Sequence, residues 1–236
     1  MAITVSSFSS DASALSQEQV QLFKDADVIY CETKTVMESV MHTLGISLEG
    51  KKIFSVFETM ESEPSTEPES IKLRYALENF DKKSIVILSD DGFPHIVDPY
   101  SGLISQLSER GVHISITPNI SSLVSATILG NLQGDNFCFG GIQVPWQDYS
   151  SNLNKLKDVS LIMPVILLMV IKDAEGGPAM MDKIAEIFGS EREVRIMHSM
   201  GKPQARTYLT QAKNLWNRHE PHLTEPFTLV IYPPTT

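Results

Sequence analysis

Residues 85–99, IVILSDDGFPHIVDP, set an apolar run against three acids, a glycine and two prolines. An ordinary strand end needs one Gly or one Pro to turn the chain, so this density of turn and carboxylate residues predicts a structured loop. Gly92 lets the backbone come close to a ligand, Pro94 stiffens the turn, and Asp98-Pro99 places an acceptor where the next helix begins. Asp90 and Asp91 are adjacent carboxylates that cannot both be buried cheaply. A strand-to-helix turn without a ligand would use the same residues, and on these residues alone both readings stand.

Other chemistries find less support. Neither GxGxxG nor GxxxxGK[ST] occurs, and Gly140-Gly141 and Gly176-Gly177 are isolated pairs of the kind found in turns, so nucleoside triphosphates are not expected as ligands. His219-Glu220-Pro221-His222 lies in a Pro-broken stretch and the other histidines are dispersed, so no metal is expected. There is no GxSxG elbow to supply a hydrolase nucleophile. Cys31 and Cys138 sit among aromatic and β-branched neighbours and are expected as buried free thiols.

The elements that must position the 85–99 loop follow from periodicity. Short β-branched runs alternate with segments of helical spacing, which predicts an α/β protein with mainly parallel sheets. Strands are expected at 3–6, 28–31, 52–56, 84–88 and 113–117, with helices at 16–24, 35–44, 69–80 and 102–110 between them. Gly45 and Gly111 follow two of these helices, where a left-handed C-cap residue is expected. A second cycle predicts helices at 121–129, 149–157, 178–188 and 203–217 and strands at 136–140, 165–171, 193–198 and 227–232. A boundary near Pro118 then divides the chain into two α/β domains, 1–117 and 118–236. The acidic, Pro-interrupted segment 58–69 is expected as a solvated, mobile loop, with a lid over a cleft as the alternative.

Composition sets outer bounds. At 236 residues, 42% hydrophobic and 20% charged, the chain has the make-up of a soluble globular protein with a sizeable core. The longest apolar run, Leu161 to Ile171, is broken by Pro164 and too short to span a bilayer. The first residues lack a basic segment followed by a long apolar one, so a cytoplasmic protein is expected. The net charge of −10 repels polyanions at long range, and the 19 Lys and Arg are scattered rather than clustered.

The stretch LSDDGFPHIVDP resembles the SD-x-G-x-P-x-x-x-DP loop of the tetrapyrrole methylase family. These S-adenosylmethionine-dependent methyltransferases include corrin and porphyrin precursor methylases and a ribosomal RNA 2′-O-ribose methyltransferase. In the same order, DADVIYCET is similar to the family's ADxVxxED segment, TPNISSLVSATILG to PGxSSxxAAxxxxG, and FCFGGI to the FxFxGF strand of the ribosomal branch. VILLMVIKDAEGGPAMMDKIAEIFG resembles the strand, turn and helix of the second domain, and EPFTLVIY its last strand.

The resemblance implies two α/β domains with S-adenosylmethionine in the cleft between them, and a homodimer. By position it implies cofactor contacts from Ser89, Asp90, Gly92 and Pro94, from Ser121 and Ser122, and from Met169. The acceptor it implies is either a tetrapyrrole-like small molecule, which the acidic charge favours, or ribosomal RNA ribose, which the SDxGxP loop and FCFGGI favour. An alcohol acceptor wants a base, for which Glu32, Asp90 and Asp98 are candidates, each equally readable as a helix cap or ion-pair member. The chain departs from the family at VSSFSSDASALS, which has neither Gly nor Pro where relatives carry a Gly/Pro-rich loop. It also has Asn119 for a typical Gly, and Asp91 and Phe93 for small residues. The altered first loop keeps open a second reading, a diverged cofactor-binding or regulatory member without turnover.

Overall fold

The computed structural model describes residues 3–9, 11–59, 68–90, 92, 98–117, 121–132, 136–142, 150–169, 176–200, 204–219 and 227–234. They fall into two compact units, Met1–Ser121 and Ser122–Thr236.

In the first unit five strands, β1 (Ile3–Ser6), β2 (Val28–Thr33), β3 (Lys52–Phe57), β4 (Ile85–Leu88) and β5 (Ile114–Thr117), form one sheet in the order β3-β2-β4-β1-β5. Each of its pairs is parallel. The connections are α1 (Gln17–Asp25), α2 (Lys34–Thr43), α3 (Glu69–Asn79) and α4 (Ser101–Glu109). Residues of β4 show why the strands read as continuous apolar runs. Ile85 and Ile87 pack with Leu73 and Ala76 of α3 and with Leu103 and Leu107 of α4, whereas Val86 and Leu88 pack with Phe23 of α1 and Met37 and Met41 of α2. A sheet covered on both faces needs apolar side chains in both directions. Gly45 and Gly111 adopt φ of +67° and +75°, and the following N–H groups return to the helices, Ile46 to Met41 C=O and Val112 to Leu107 C=O.

The second unit orders β6 (Cys138–Ile142), β7 (Val165–Met169), β8 (Glu193–His198), β9 (Arg206–Gln211) and β10 (Phe227–Ile231) as β6-β7-β10-β8-β9. Its helices are α5 (Ser122–Leu129), α6 (Ser150–Val159), α7 (Gly176–Phe188) and α8 (Leu215–His219). Only β6 and β7 pair in parallel, so the expectation of mainly parallel sheets holds for the first unit and is corrected here. The cause is local. Residues 206–211, RTYLTQ, were expected inside a helix, but their Thr, Tyr and Leu suit a pleated surface and they form an antiparallel strand against β8. That reversal sends β10 back between β7 and β8 in the opposite sense. Helices α6, α7 and α8 cover one face through Leu153, Met181, Ile184 and Leu215. Ala126 of α5 packs on the other face with Ile166, Met197 and Val230. The C-terminal end of α5 is tied down by Tyr232, whose hydroxyl donates to Gly130 C=O and accepts from Arg195 Nε at 3.0 Å.

Cys31 is buried in the first unit's core, and Cys138 is half-buried. No helix among the described residues is long and apolar enough to cross a membrane. Of segment 58–69, residues 60–67 lie outside the described residues, as does Pro94.

Candidate functional site

Strand order in the first unit creates a crevice. From β2 the chain moves outward to β3, and from β4 it moves the other way, past β1, to β5. Neighbouring parallel strands whose connections leave in opposite directions open a gap beyond their carboxyl ends, where ligands bind in open α/β sheets. Glu32 and Thr33 stand at the end of β2, with Ser89 and Asp90 just past β4. The two ends clasp one another. Thr33 N–H donates to Asp90 Oδ1 at 3.2 Å, and Asp90 N–H donates to Glu32 Oε2 at 3.4 Å. Two half-buried carboxylates are thereby held at the mouth of the gap.

A third strand end closes the group. After β1, Ser6 and Ser7 turn inward and are almost fully buried, their polar atoms met by Gln19 of α1. Phe8 follows, its ring packed 5.8 Å from that of Phe23. Phe8 and Gly92 exchange backbone hydrogen bonds, N–H to C=O, at 3.3 and 3.4 Å, an isolated antiparallel bridge joining the β1 and β4 loops. Gly92 has φ +117°, a conformation side chains resist, and among the described residues no atom stands within 4 Å of where a Cβ would be. Its backbone N–H and C=O both pair with Phe8.

Beneath the crevice the polar groups serve structure. The buried Tyr100 hydroxyl donates to Cys31 C=O at 2.8 Å and Phe54 C=O at 3.1 Å, locking β2 to β3. Lys72 of α3, itself buried, donates to Ser55 C=O at 2.7 Å and lies 5.7 Å from the centroid of the Tyr100 ring. Asp98 is buried, and its Oδ1 accepts from Tyr100 N–H at 2.7 Å, so it shapes the start of α4 as the sequence suggests. The Cys31 thiol reports the local field. Burial pushes it up to about 12; Asp90, then Glu38 and Glu58, push in the same direction, and Lys72 pulls the other way.

Ser89, Asp90 and Gly92 thus stand together at the end of β4, with Glu32 beside Asp90. Ser121 precedes α5 and Ser122 opens it. Met169 ends β7 with its side chain fully buried among the residues of the α6–α8 core, which leaves its backbone as the part a ligand can touch. Thr33, Phe8 and Gln19 are partners the sequence reading missed. Only Gln19 carried a signal, since Ser16-x-x-Gln19 is a capping-box pattern and the box is formed. Among the described residues no group of three or more His, Cys, Asp or Glu is placed to hold a metal.

Comparison with known proteins agrees with this architecture. A protein named ribosomal RNA small subunit methyltransferase I from Mesomycoplasma conjunctivae is 23% identical over 196 residues, 82% of this chain and 75% of the relative. The protein of the same name from Thermotoga maritima is 30% identical over 125 residues, 51% of either chain. The chain therefore spans three quarters of one relative and about half of the other. Among solved structures, uroporphyrin-III C-methyltransferase from Thermus thermophilus, complexed with S-adenosylhomocysteine, matches with a TM-score of 0.59 at 16% identity, over 98% of this chain and 97% of that one. The family model for tetrapyrrole (corrin/porphyrin) methylases matches residues 9–215, nearly the whole length, and the chain belongs to that family.

Proposed function

We propose that this chain is an S-adenosylmethionine-dependent methyltransferase that methylates ribosomal RNA of the small subunit. One observation carries the cofactor reading. The gap between β2 and β4 is edged by the Glu32 and Asp90 carboxylates, and among the described residues nothing stands within 4 Å of where a Cβ on Gly92 would be. Such a place suits a cationic, phosphate-free ligand, because nearby carboxylates and carbonyl oxygens favour a sulfonium. The bound cofactor would supply an electrophilic methyl group for in-line displacement. Ser89, Asp90, Gly92 and Pro94 would hold it from the first unit, with Ser121, Ser122 and the backbone of Met169 as further contacts. The chain's own task is then orientation, since holding donor and acceptor near contact distance supplies much of the acceleration. For a hydroxyl acceptor, Glu32 and Asp90 are the carboxylates placed to take the proton, while Asp98 is committed to the start of α4.

The RNA assignment rests on the named relatives. Charge favours a second reading, a small-molecule acceptor. Residues 1–121 hold 9 Lys and Arg against 18 Asp and Glu, and the rest of the chain 10 against 11, so neither unit is net basic. The protein is further proposed to work in the cytoplasm as a homodimer. Incubation with labelled S-adenosylmethionine and small ribosomal subunits lacking the modification should place label in the RNA. Label confined to a small-molecule fraction would favour the second reading. No transfer to any component of a cell extract would leave the non-catalytic alternative.

A further inference from the structure

Gln19 reaches further than its helix cap requires. Its Oε1 accepts from Ser16 N–H at 3.0 Å, and its own N–H donates to Ser16 Oγ at 3.2 Å, which completes the box at the start of α1. Its Nε2 is spent elsewhere. It donates to Ser7 C=O at 2.8 Å and lies 3.3 Å from Ser6 Oγ and 3.5 Å from Ser7 Oγ. The whole side chain is buried, with no exposure, so these bonds have no competition from water. The turn they hold leads directly into Phe8, which exchanges both backbone hydrogen bonds with Gly92. The second grip on that turn, Phe23 against the Phe8 ring, also comes from α1. A single helix therefore fixes the turn from two sides, and the turn fixes Gly92.

We propose that Gln19 is a positioning residue for the Asp90–Gly92 loop, setting through Ser7 and Phe8 where that loop stands and hence how tightly it takes S-adenosylmethionine. This rests on the cofactor reading above. The Gly/Pro-free first loop thereby acquires a use. Its serines offer Gln19 a carbonyl and two hydroxyls, and its phenylalanine offers an anchor and a backbone bridge. Gln19 touches no ligand, and its effect is geometric. A displacement of about 1 Å in a positioned group can cost as much as a hundredfold.

The cap and the grip on the turn separate by mutation. Ser16→Ala removes the hydroxyl half of the capping box and leaves the Nε2 contacts intact, whereas Gln19→Met keeps the volume and loses the Nε2 contacts together with the Oε1 half of the box. Calorimetric titration with S-adenosylhomocysteine, with a melting curve for each variant, reads both effects. The expected result is a lower Tm for Ser16→Ala with Kd within about twofold of the parent, and a rise of about tenfold in Kd for Gln19→Met. A Gln19→Met chain that binds like the parent overturns the proposal. So does a Ser16→Ala chain whose Kd rises equally, since the effect would then follow stability alone. If Gln19→Met does not fold, hydrogen exchange on the parent decides. The Phe8 and Gly92 amides should gain protection on binding, and unchanged protection contradicts the coupling. A parent chain with no measurable binding overturns the cofactor reading itself, a result distinct from either of these.

Discussion

The two sheets have five strands each and are built on opposite plans. In the first unit every pair is parallel and two helices cover each face, so β4 is buried in both directions and its end opens where the connections diverge. In the second, three of four pairs are antiparallel, with α6, α7 and α8 on one face and α5 on the other. Charge divides the same way, with nearly all of the net −10 carried by the first unit. The contrast teaches that topology makes the crevice. A doubly wound parallel sheet must leave a gap where its connections diverge, and this chain furnishes that gap with carboxylates and a bare glycine.

The largest test of the contrast sets the centre of the parallel sheet against the edge of the mixed one. Ile87→Asp would put a carboxylate where exposure is 0% and should cost more than about 4 kcal/mol, enough to abolish cooperative urea unfolding. Leu209→Asp on β9, where exposure is 50%, should stay within about 0.5 kcal/mol. Equal losses would break the comparison. An intermediate effect is expected at Gly130, where α5 lands on β10. A Cβ there would lie 2.9 Å from Val230 Cγ2 and against Ala126 C=O. Gly130→Ala should therefore cost about 1–3 kcal/mol in the same assay, and a neutral result would mean that α5 is not seated so closely.

The last effect is a pH dependence, negligible near neutral pH. Cys31 is raised from 9.0 to about 12 by burial and then by Asp90, so the folded chain keeps its thiol protonated where the unfolded chain loses the proton. Its contribution to stability is complete below pH 9 and is lost as pH climbs towards 12. Native Cys31 should resist alkylation at pH 9, and rapid modification without unfolding would show that the thiol is not enclosed.

Much of the first unit was legible because its signals agree. Runs such as IVIL are too short for a helix and are bounded by turn residues, and Gly45 and Gly111 mark helix ends by a conformation that favours glycine. Residues 206–211 misled because Tyr208 and Leu209 with Leu215 also suit a helical stripe, and pairing with β8 decides the matter only in three dimensions. At the site, Ser89, Asp90 and Gly92 could be found from one contiguous loop. The Thr33–Asp90 bond joins residues 57 positions apart, and the Phe8–Gly92 bridge is made by backbone atoms that carry no residue-type signature. Met169 is a cofactor contact only by the family resemblance, and the alternation of β7 turns its side chain into the core of the second unit.

The central claim is that the end of β4 beside Glu32 and Gly92 receives S-adenosylmethionine. A crystal structure of the chain grown with S-adenosylhomocysteine tests it most directly. The account predicts the ligand's amino acid and sulfur portion beside Asp90 and the open face of Gly92, with the Phe8–Gly92 bridge intact. A ligand bound elsewhere, or a Phe8 that leaves its seat on Phe23 to fill the crevice, would contradict it.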